Sequence, residues 1–460
     1  MVHHFTKQNS IQTSGDAFAS AGPDTTLIVD VDAFLISTAG SGGDGADLTG
    51  SWTVLINGAV ESLNGSGTGL RITNSIASKI TIGSAGDVFG RQGMVFGGSG
   101  TVVNKGAITG YFQAASCALS GNVSLRNVGL LEGYNFDAVT LGGSGIFSLF
   151  NSGIIRAPEG SNSISALSNV ESHLTNIGTV IGNVALGALN DTFINFKKVG
   201  GIIKNGIVNG VIDLGAGDDL FKGGAKAETL RDNSGTDSYS FGGGNDVYLA
   251  DFAGNDDGLD SINAGKGRDT YDLTGSDALY LVNIGTKPIE GVGLPGQTAV
   301  EFFGQTDTIV GFENVVGGPG DDRIWGSDGS NVLSGGLGLD FLYGQGGADR
   351  LTGGGDQDTF FFTKLSDSGT KASTRDRITD FLSGFDKIDL SAIDANGNVA
   401  GDGVFAFIGV AHFDGTRGQL RVGFVRGDAI VSGDVNGDGK ADFSIAINHP
   451  FLILESDFVL

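Results

Sequence analysis

The chain has 460 residues and a formal net charge of −25, from 52 acidic and 27 basic side chains, with 81 glycines, six prolines and one cysteine. The missing basic footprint disfavours nucleic-acid binding, and a single cysteine excludes an intramolecular disulfide. No run of about 18 apolar residues occurs, so no membrane span is expected. Nine of the acidic residues are Glu and 43 are Asp, and short Asp side chains belong to turns and metal loops rather than helices.

Residues 1–24 read as an N-terminal tail. "MVHHFTKQNSIQTSGD" has no apolar stretch of the secretory kind, and His3 and His4 have no third ligand beside them. Helical periodicity is scarce, and short β-branched and aromatic runs punctuated by Gly, Asn and Asp predict an all-β chain. Over 25–212 a loose repeat appears: "VNKGAITG" with Asn104, "RNVGLLEG" with Asn127, "FNSGIIRA" with Asn151 and "TNIGTVIG" with Asn176, spaced by 23, 24 and 25 residues. Each unit reads as strand, Asn-x-Gly turn, strand. Units this short bury their apolar faces only by stacking, so 25–212 is expected to be a β-solenoid (β-helix). Cys117 lies in the apolar stretch "AASCALSGNV" and is expected to be a buried, structural thiol.

A tighter repeat follows, on the template G-G-x-G-x-D-x-U-x, with U a large apolar residue. From Leu214, "LGAGDDLFK", "GGAKAETLR", "DNSGTDSYS" and "FGGGNDVYL" run without a break. After "ADFAG" come "NDDGLDSIN" and "AGKGRDTYD", closing a block at 213–272. Residues 273–316 read as connecting strands. A second block, 317–363, holds "GGPGDDRIW", "GSDGSNVLS", "GGLGLDFLY", "GQGGADRLT" and "GGGDQDTFF". The aspartate position is occupied by Asp219, Asp237, Asp246, Asp260, Asp269, Asp322, Asp340, Asp349 and Asp358, with Glu228 and Asn331 as departures.

This template resembles the calcium-binding nonapeptide of the RTX proteins. The resemblance implies a parallel β-roll in which six residues turn and three form a strand, U points inward, and two nonapeptides make one 18-residue coil. Asp219 should then stack on Asp237, Asp322 on Asp340 and Asp358, and Asn331 on Asp349. The carboxylates and turn carbonyls are hard oxygen ligands that suit several Ca²⁺ ions. The implied ligand set is Gly217, Asp219, Gly235, Asp237, Gly244, Asp246, Gly258, Asp260, Gly267, Asp269, Gly320, Asp322, Asn331, Gly338, Asp340, Asp349 and Asp358.

Residues 364–460 contain "TRDRITDFLSGFDKIDLSAIDAN", "FAFIGVAHFDGTRGQLR" and "VSGDVNGDGKADFSI". They resemble the domain that closes serralysin-type secreted proteins, which implies a β-rich secretion domain. Within it Asp434, Asn436, Asp438 and Asp442 have calcium-loop spacing around Gly437 and Gly439, although position 12 is Ile445 instead of Glu. A structural acidic turn is the rival reading. The ending Asp457, Phe458, Val459, Leu460 resembles the uncleaved address read by a type I ABC exporter, which implies an extracellular protein of a Gram-negative bacterium.

No catalytic residue is assigned. None of the five histidines begins the H-E-x-x-H that a serralysin-like protease needs. The solenoid resembles adhesin and autotransporter coils, and adhesion to a surface, a matrix or a polysaccharide is the expected role. Two alternatives remain open: a polysaccharide lyase or epimerase, for which Tyr134 and Asp137 are weak candidates, and a bacteriocin-like toxin.

Overall fold

The computed structural model describes residues 1–460 except 22–24, 39–42, 64–66, 168, 232, 251–257, 290–291, 302–305, 398–402 and 451. Most of the insertion "ADFAG" lies outside the described residues. Among them the elements are β-strands, apart from one short 3-10 turn at Glu455–Asp457. None forms a helix long and apolar enough to cross a membrane. The chain divides into two units, Met1–Gly244 and Asn245–Leu460, a division that falls inside the repeat block 213–272.

In the first unit parallel strands stack coil upon coil. One coil runs through Val139–Gly143, Gly145–Asn151 and Ile154–Arg156. The next runs through Asn162–Ala166, Val170–Asn176 and Thr179–Ile181, each strand pairing in parallel with its counterpart one coil earlier. Three strands per coil explain the 23–25-residue period. Alternate residues point inward, so Phe147, Leu149, Leu174 and Val180 are buried, which is the period-2 signature of a one-sided strand. The Asn-x-Gly positions align in register: Asn104 with Asn127, Asn127 with Asn151, and Asn151 with Asn176.

The N-terminal tail expected over 1–24 is instead the first coil. Val2–Phe5, Ile11–Thr13 and Phe18–Ala21 pair with Thr25–Val29, Phe34–Ser37 and Ala46–Thr49. Its apolar residues are sparse, so sequence periodicity fails there. Phe18 packs edge-on to Trp52. The third side of the solenoid ends at Ile207–Asn209. Beyond it the coil has two strands and 18 residues: Val211–Asp213 pairs with Thr229–Arg231, and Leu220–Lys222 with Ser238–Ser240.

The second unit continues the two-stranded pattern. One row is Asn314–Val316, Val332–Gly336, Arg350–Gly354 and Arg377–Ile378. The other is Tyr280–Asn283, Arg323–Ser327, Phe341–Gln345, Thr359–Phe361, Lys387–Asp389 and Phe458–Val459. The U residues Ile324, Leu333, Leu342, Leu351 and Phe360 are fully buried between the rows. The connecting segment adds antiparallel strands, Tyr280–Asn283 against Thr298–Glu301, and Leu294 packs on Trp325 and Tyr343. An antiparallel sheet of Gln419–Val425, Asp428–Asp434 and Phe443–Ile447 lies in the C-terminal segment.

Candidate calcium centres

Most repeat turns are built by backbone conformations that L-residues resist. The fourth position has positive φ at Gly217, Gly235, Gly244, Gly258, Gly267 and Gly338, between 91° and 156°. Gly320 does not share this φ, but a Cβ there would lie 2.1 Å from the Ala278 carbonyl. The first position is set by the carboxylate itself. A Cβ on Gly335 would lie 2.1 Å from Asp340 Oδ2, and one on Gly344 would lie 2.3 Å from Asp349 Oδ2. Glycine is therefore the seat into which the aspartate folds.

The aspartates stack at the predicted 18-residue steps. The Asp219 backbone N–H donates to Asp237 Oδ1 at 2.7 Å. Asp322 N–H donates to Asp340 Oδ1 at 2.8 Å, and Asp340 N–H to Asp358 Oδ1 at 3.1 Å. Asn331 N–H donates to Asp349 Oδ1 at 2.8 Å. At longer steps of 23 and 47 residues, Asp246 N–H donates to Asp269 Oδ1 at 2.8 Å, and Asp260 N–H to Asp307 Oδ1 at 3.0 Å. One carboxylate oxygen thus ties each coil to the one before it.

The second oxygen differs. In Asp219, Asp269, Asp340, Asp349 and Asp376 it is buried with no hydrogen-bond partner. An ionised carboxylate in that position loses water without a replacement donor. Burial accordingly pushes Asp219, Asp340 and Asp349 up to about 8, against the backbone N–H bonds, which lower them. Burial likewise raises Asp358 to about 7 and Asp322 to about 6. A hard cation beside the orphaned oxygens removes that penalty, so the residues fit calcium. Among the described residues no three His, Cys, Asp or Glu side chains converge on one point. The repeat's sixth position supplies one carboxylate per turn, and the rest of a six-to-eight-oxygen shell falls to backbone carbonyls.

Asn331 and the four predicted residues of the C-terminal loop make bonds of another kind. Asn331 Oδ1 accepts from Ser327 N–H at 2.8 Å and its amide donates to the Glu313 carbonyl at 2.9 Å. A neutral, hydrogen-bonded side chain there needs no counter-ion. In the C-terminal loop Asp434 accepts from Gly437 and Gly439 N–H at 2.7 and 2.9 Å. Asp442 Oδ2 accepts from Val435 N–H at 2.7 Å. Asn436 and Asp438 lie at the exposed rim, and none of the four holds a buried orphaned oxygen. These bonds brace the loop as an acidic turn.

The ladders also extend past the predicted members. Asp191 N–H donates to Asp219 Oδ1 at 2.6 Å; Asp349 N–H donates to Asp376 Oδ1 at 2.9 Å, and Asp358 N–H to Asp386 Oδ1 at 3.1 Å. The signal was present in the sequence: "LGALNDTFI" matches "LGAGDDLFK" around Asp191, and "RDRI" and "FDKI" keep the Asp-x-U spacing. Elsewhere Asp137, weighed for catalysis, accepts from Asn162 N–H and Ser165 Oγ at 3.0 and 2.7 Å and so braces the next coil. Cys117 is buried, which pushes its thiol up to about 12.

Comparison with known proteins agrees with this geometry. Residues 213–248 match the RTX calcium-binding nonapeptide repeat, and residues 243–460 match the serralysin C-terminal region of M10 peptidases. Metalloprotease AprA of Pseudomonas entomophila (strain L48) is 42% identical over 187 residues, 40% of this chain and 36% of that protein. Serralysin of Photorhabdus luminescens is 41% identical over 199 residues, 42% of this chain and 38% of that protein. The chain thus spans under two-fifths of these relatives' length. A solution structure of the AlgE6R3 subunit from the Azotobacter vinelandii mannuronan C5-epimerase is 28% identical, covering 30% of this chain and 77% of that one. Its TM-score of 0.17 gives that likeness no weight. Residues 213–248 are thus RTX nonapeptide repeats, which bind calcium, and residues 243–460 are a serralysin-type C-terminal region, the architecture of secreted extracellular proteins.

Proposed function

We propose that this protein is exported through a type I ABC system, that calcium outside the cell drives its repeats to fold, and that the solenoid over 25–212 serves adhesion to a surface or matrix. The observation that carries the reading is the set of buried, partnerless Oδ2 atoms on stacked turns. With little calcium the carboxylates repel and lack solvation, so the repeats stay open and can be threaded. At near-millimolar calcium each site stabilises the fold by roughly 1.4 kcal/mol when the ion stands at ten times Kd. Extracellular modules of this kind work at Kd of about 10⁻⁴–10⁻³ M. The reading assigns the protein no catalytic step.

The address residues support an exporter that acts before folding. Asp457 is buried, accepting from Gly384 N–H at 2.9 Å and Ser383 Oγ at 2.7 Å. Phe458 pairs beside Ile388 as the last strand of its row. Asp457 and Phe458 are therefore readable only while this part of the chain is open. Hydrogen exchange of the full chain in EGTA and in millimolar calcium tests the switch. Protection that appears over 317–389 only with calcium supports it, and equal protection in both ions' presence and absence overturns it.

A further inference from the structure

The first unit holds a cleft of about 500 Å³ that the calcium chemistry does not use. Its wall is a column of side chains one coil apart. The Arg91 guanidinium lies 4.6 Å over the Phe112 ring, and Phe112 stacks on Phe136 with centroids 5.1 Å apart and planes at 18°. Beside it runs an amide rail: Gln92 Nε2 donates to Gln113 Oε1 at 2.9 Å, and Gln113 Nε2 to Thr140 Oγ1 at 2.7 Å. The column repeats at the coil step of about 4.8 Å, close to the length of one sugar ring. Phe136 is 52% exposed, and Tyr111 and Tyr134 stand exposed nearby. Arg71, also on the wall, is committed to Asp44 at 2.6 Å. Arg91 is exposed and makes no ion pair among the described residues. In a chain with 52 acids and 27 bases, an unpaired guanidinium on an aromatic ledge is a local reversal of charge.

We propose that this cleft binds a short segment of a carboxylated pyranose polymer, with a ring packed on Phe136, hydroxyls on the Gln92–Gln113 rail and a carboxylate on Arg91. The proposal rests on the adhesion reading and gives it a ligand class. Side-chain amides and aromatic faces suit polyhydroxylated rings, the guanidinium suits a carboxylate, and the volume lies within the range of small-ligand sites. A nucleic acid carries the same charge sign as the ligand but is disfavoured by the overall −25.

The test is titration of the full-length protein, in calcium, with oligogalacturonate and with its methyl ester. Oligogalacturonate should bind more tightly than the ester. Arg91→Gln should weaken it about tenfold, as loss of one charge-assisted contact does, and Phe136→Ala should weaken both ligands. Lys79→Gln, an exposed cation elsewhere on the unit, should change neither. Both cleft substitutions lie on exposed side chains, and unchanged melting certifies their fold. Equal affinity for acid and ester, binding indifferent to Arg91→Gln, or no binding of either oligomer overturns the proposal. A parallel attachment assay separates the two readings. Attachment that survives Arg91→Gln removes the cleft and keeps adhesion, whereas oligomer binding without attachment removes adhesion and keeps the cleft.

Discussion

The solenoid coils and the repeat coils solve the same stacking problem with side chains of different charge. In the solenoid Asn104, Asn127, Asn151, Asn176 and Asn195 form a buried ladder, each Nδ2 donating to the next Oδ1 at 2.8 Å. An amide both gives and takes, so the interior rungs satisfy one another and the ladder is neutral. In the repeats an aspartate stands at most rungs, with Glu228 and Asn331 as the departures. A carboxylate only accepts, so one oxygen ties the coil, and in Asp219, Asp340 and Asp349 the other is left buried with no donor. The amide ladder is complete as a polymer; the carboxylate ladder is complete only with an ion.

The largest expected effect breaks the two halves apart. Removing calcium from the full chain should open the repeats while the coils from 87 to 181 keep their hydrogen-exchange protection. Several sites acting together supply on the order of 5–10 kcal/mol, the size of a domain's whole stability. Magnesium, which demands stricter geometry and holds its water, should not substitute. Equal loss of protection in both halves would abolish the contrast.

Next in size is damage to the neutral ladder. Asn127 is fully buried, and its amide also donates to the Ile154 carbonyl at 3.1 Å. Asn127→Ala strips partners from the rungs on either side and should cost about 2–3 kcal/mol, read by urea unfolding, with the calcium midpoint unmoved. A shifted calcium midpoint would mean that the amide ladder takes part in ion binding.

Much of this contrast was legible beforehand. The nonapeptide register placed Leu333, Leu342 and Leu351 in the core and paired Asp322 with Asp340, because fixed glycines hold the turn length at 18 residues per coil. The Asn-x-Gly spacing marked the ladder positions for the same reason. Where a loop breaks the count, periodicity goes blind. Asp376 and Asp386 follow their partners by 27 and 28 residues, with the segment between Phe361 and Arg377 inserted, and so fall outside the 18-residue coil count. The three-sided coil was equally hidden, since its corners carry no single obligatory residue. The amide cleft residues gave no signal at all, because Arg91, Phe112 and Phe136 are neighbours only once 21- and 24-residue steps become one coil.

A smaller effect should change sign with the ion. Asp340→Asn removes a buried charge, so without calcium it should stabilise the repeats, and with calcium it should weaken them by about 1–2 kcal/mol. Acid should act in the same direction as the substitution. Asp219, Asp340 and Asp349 stand raised to about 8 in the fold, against about 3.9 in an unfolded chain. Between those limits the folded, metal-free state binds more protons than the unfolded one. Its stability is therefore full below about pH 4 and is lost as pH rises through about 8. Circular dichroism in EGTA should show more β-structure at pH 5 than at pH 8, and the calcium midpoint should rise as pH falls. A metal-free signal that strengthens toward pH 8 would contradict the burial of these carboxylates.

The smallest effect lies where the two ladders meet. Asn195 Nδ2, the last amide donor, ends on Glu228 Oε1 at 2.9 Å, and Glu228 occupies a position where the repeat otherwise places aspartate. The departure has a physical reason: the extra methylene carries the carboxylate far enough to accept the amide. Glu228→Asp brings the sequence closer to the repeat template yet shortens that reach. It should destabilise the first unit by about 1 kcal/mol, seen as a lower melting temperature in saturating calcium. Glu228→Gln keeps both the length and an acceptor oxygen, and should leave melting nearly unchanged. If the aspartate variant proved the more stable, the glutamate would be a tolerated deviation, and the two ladders would simply abut without a shared bond.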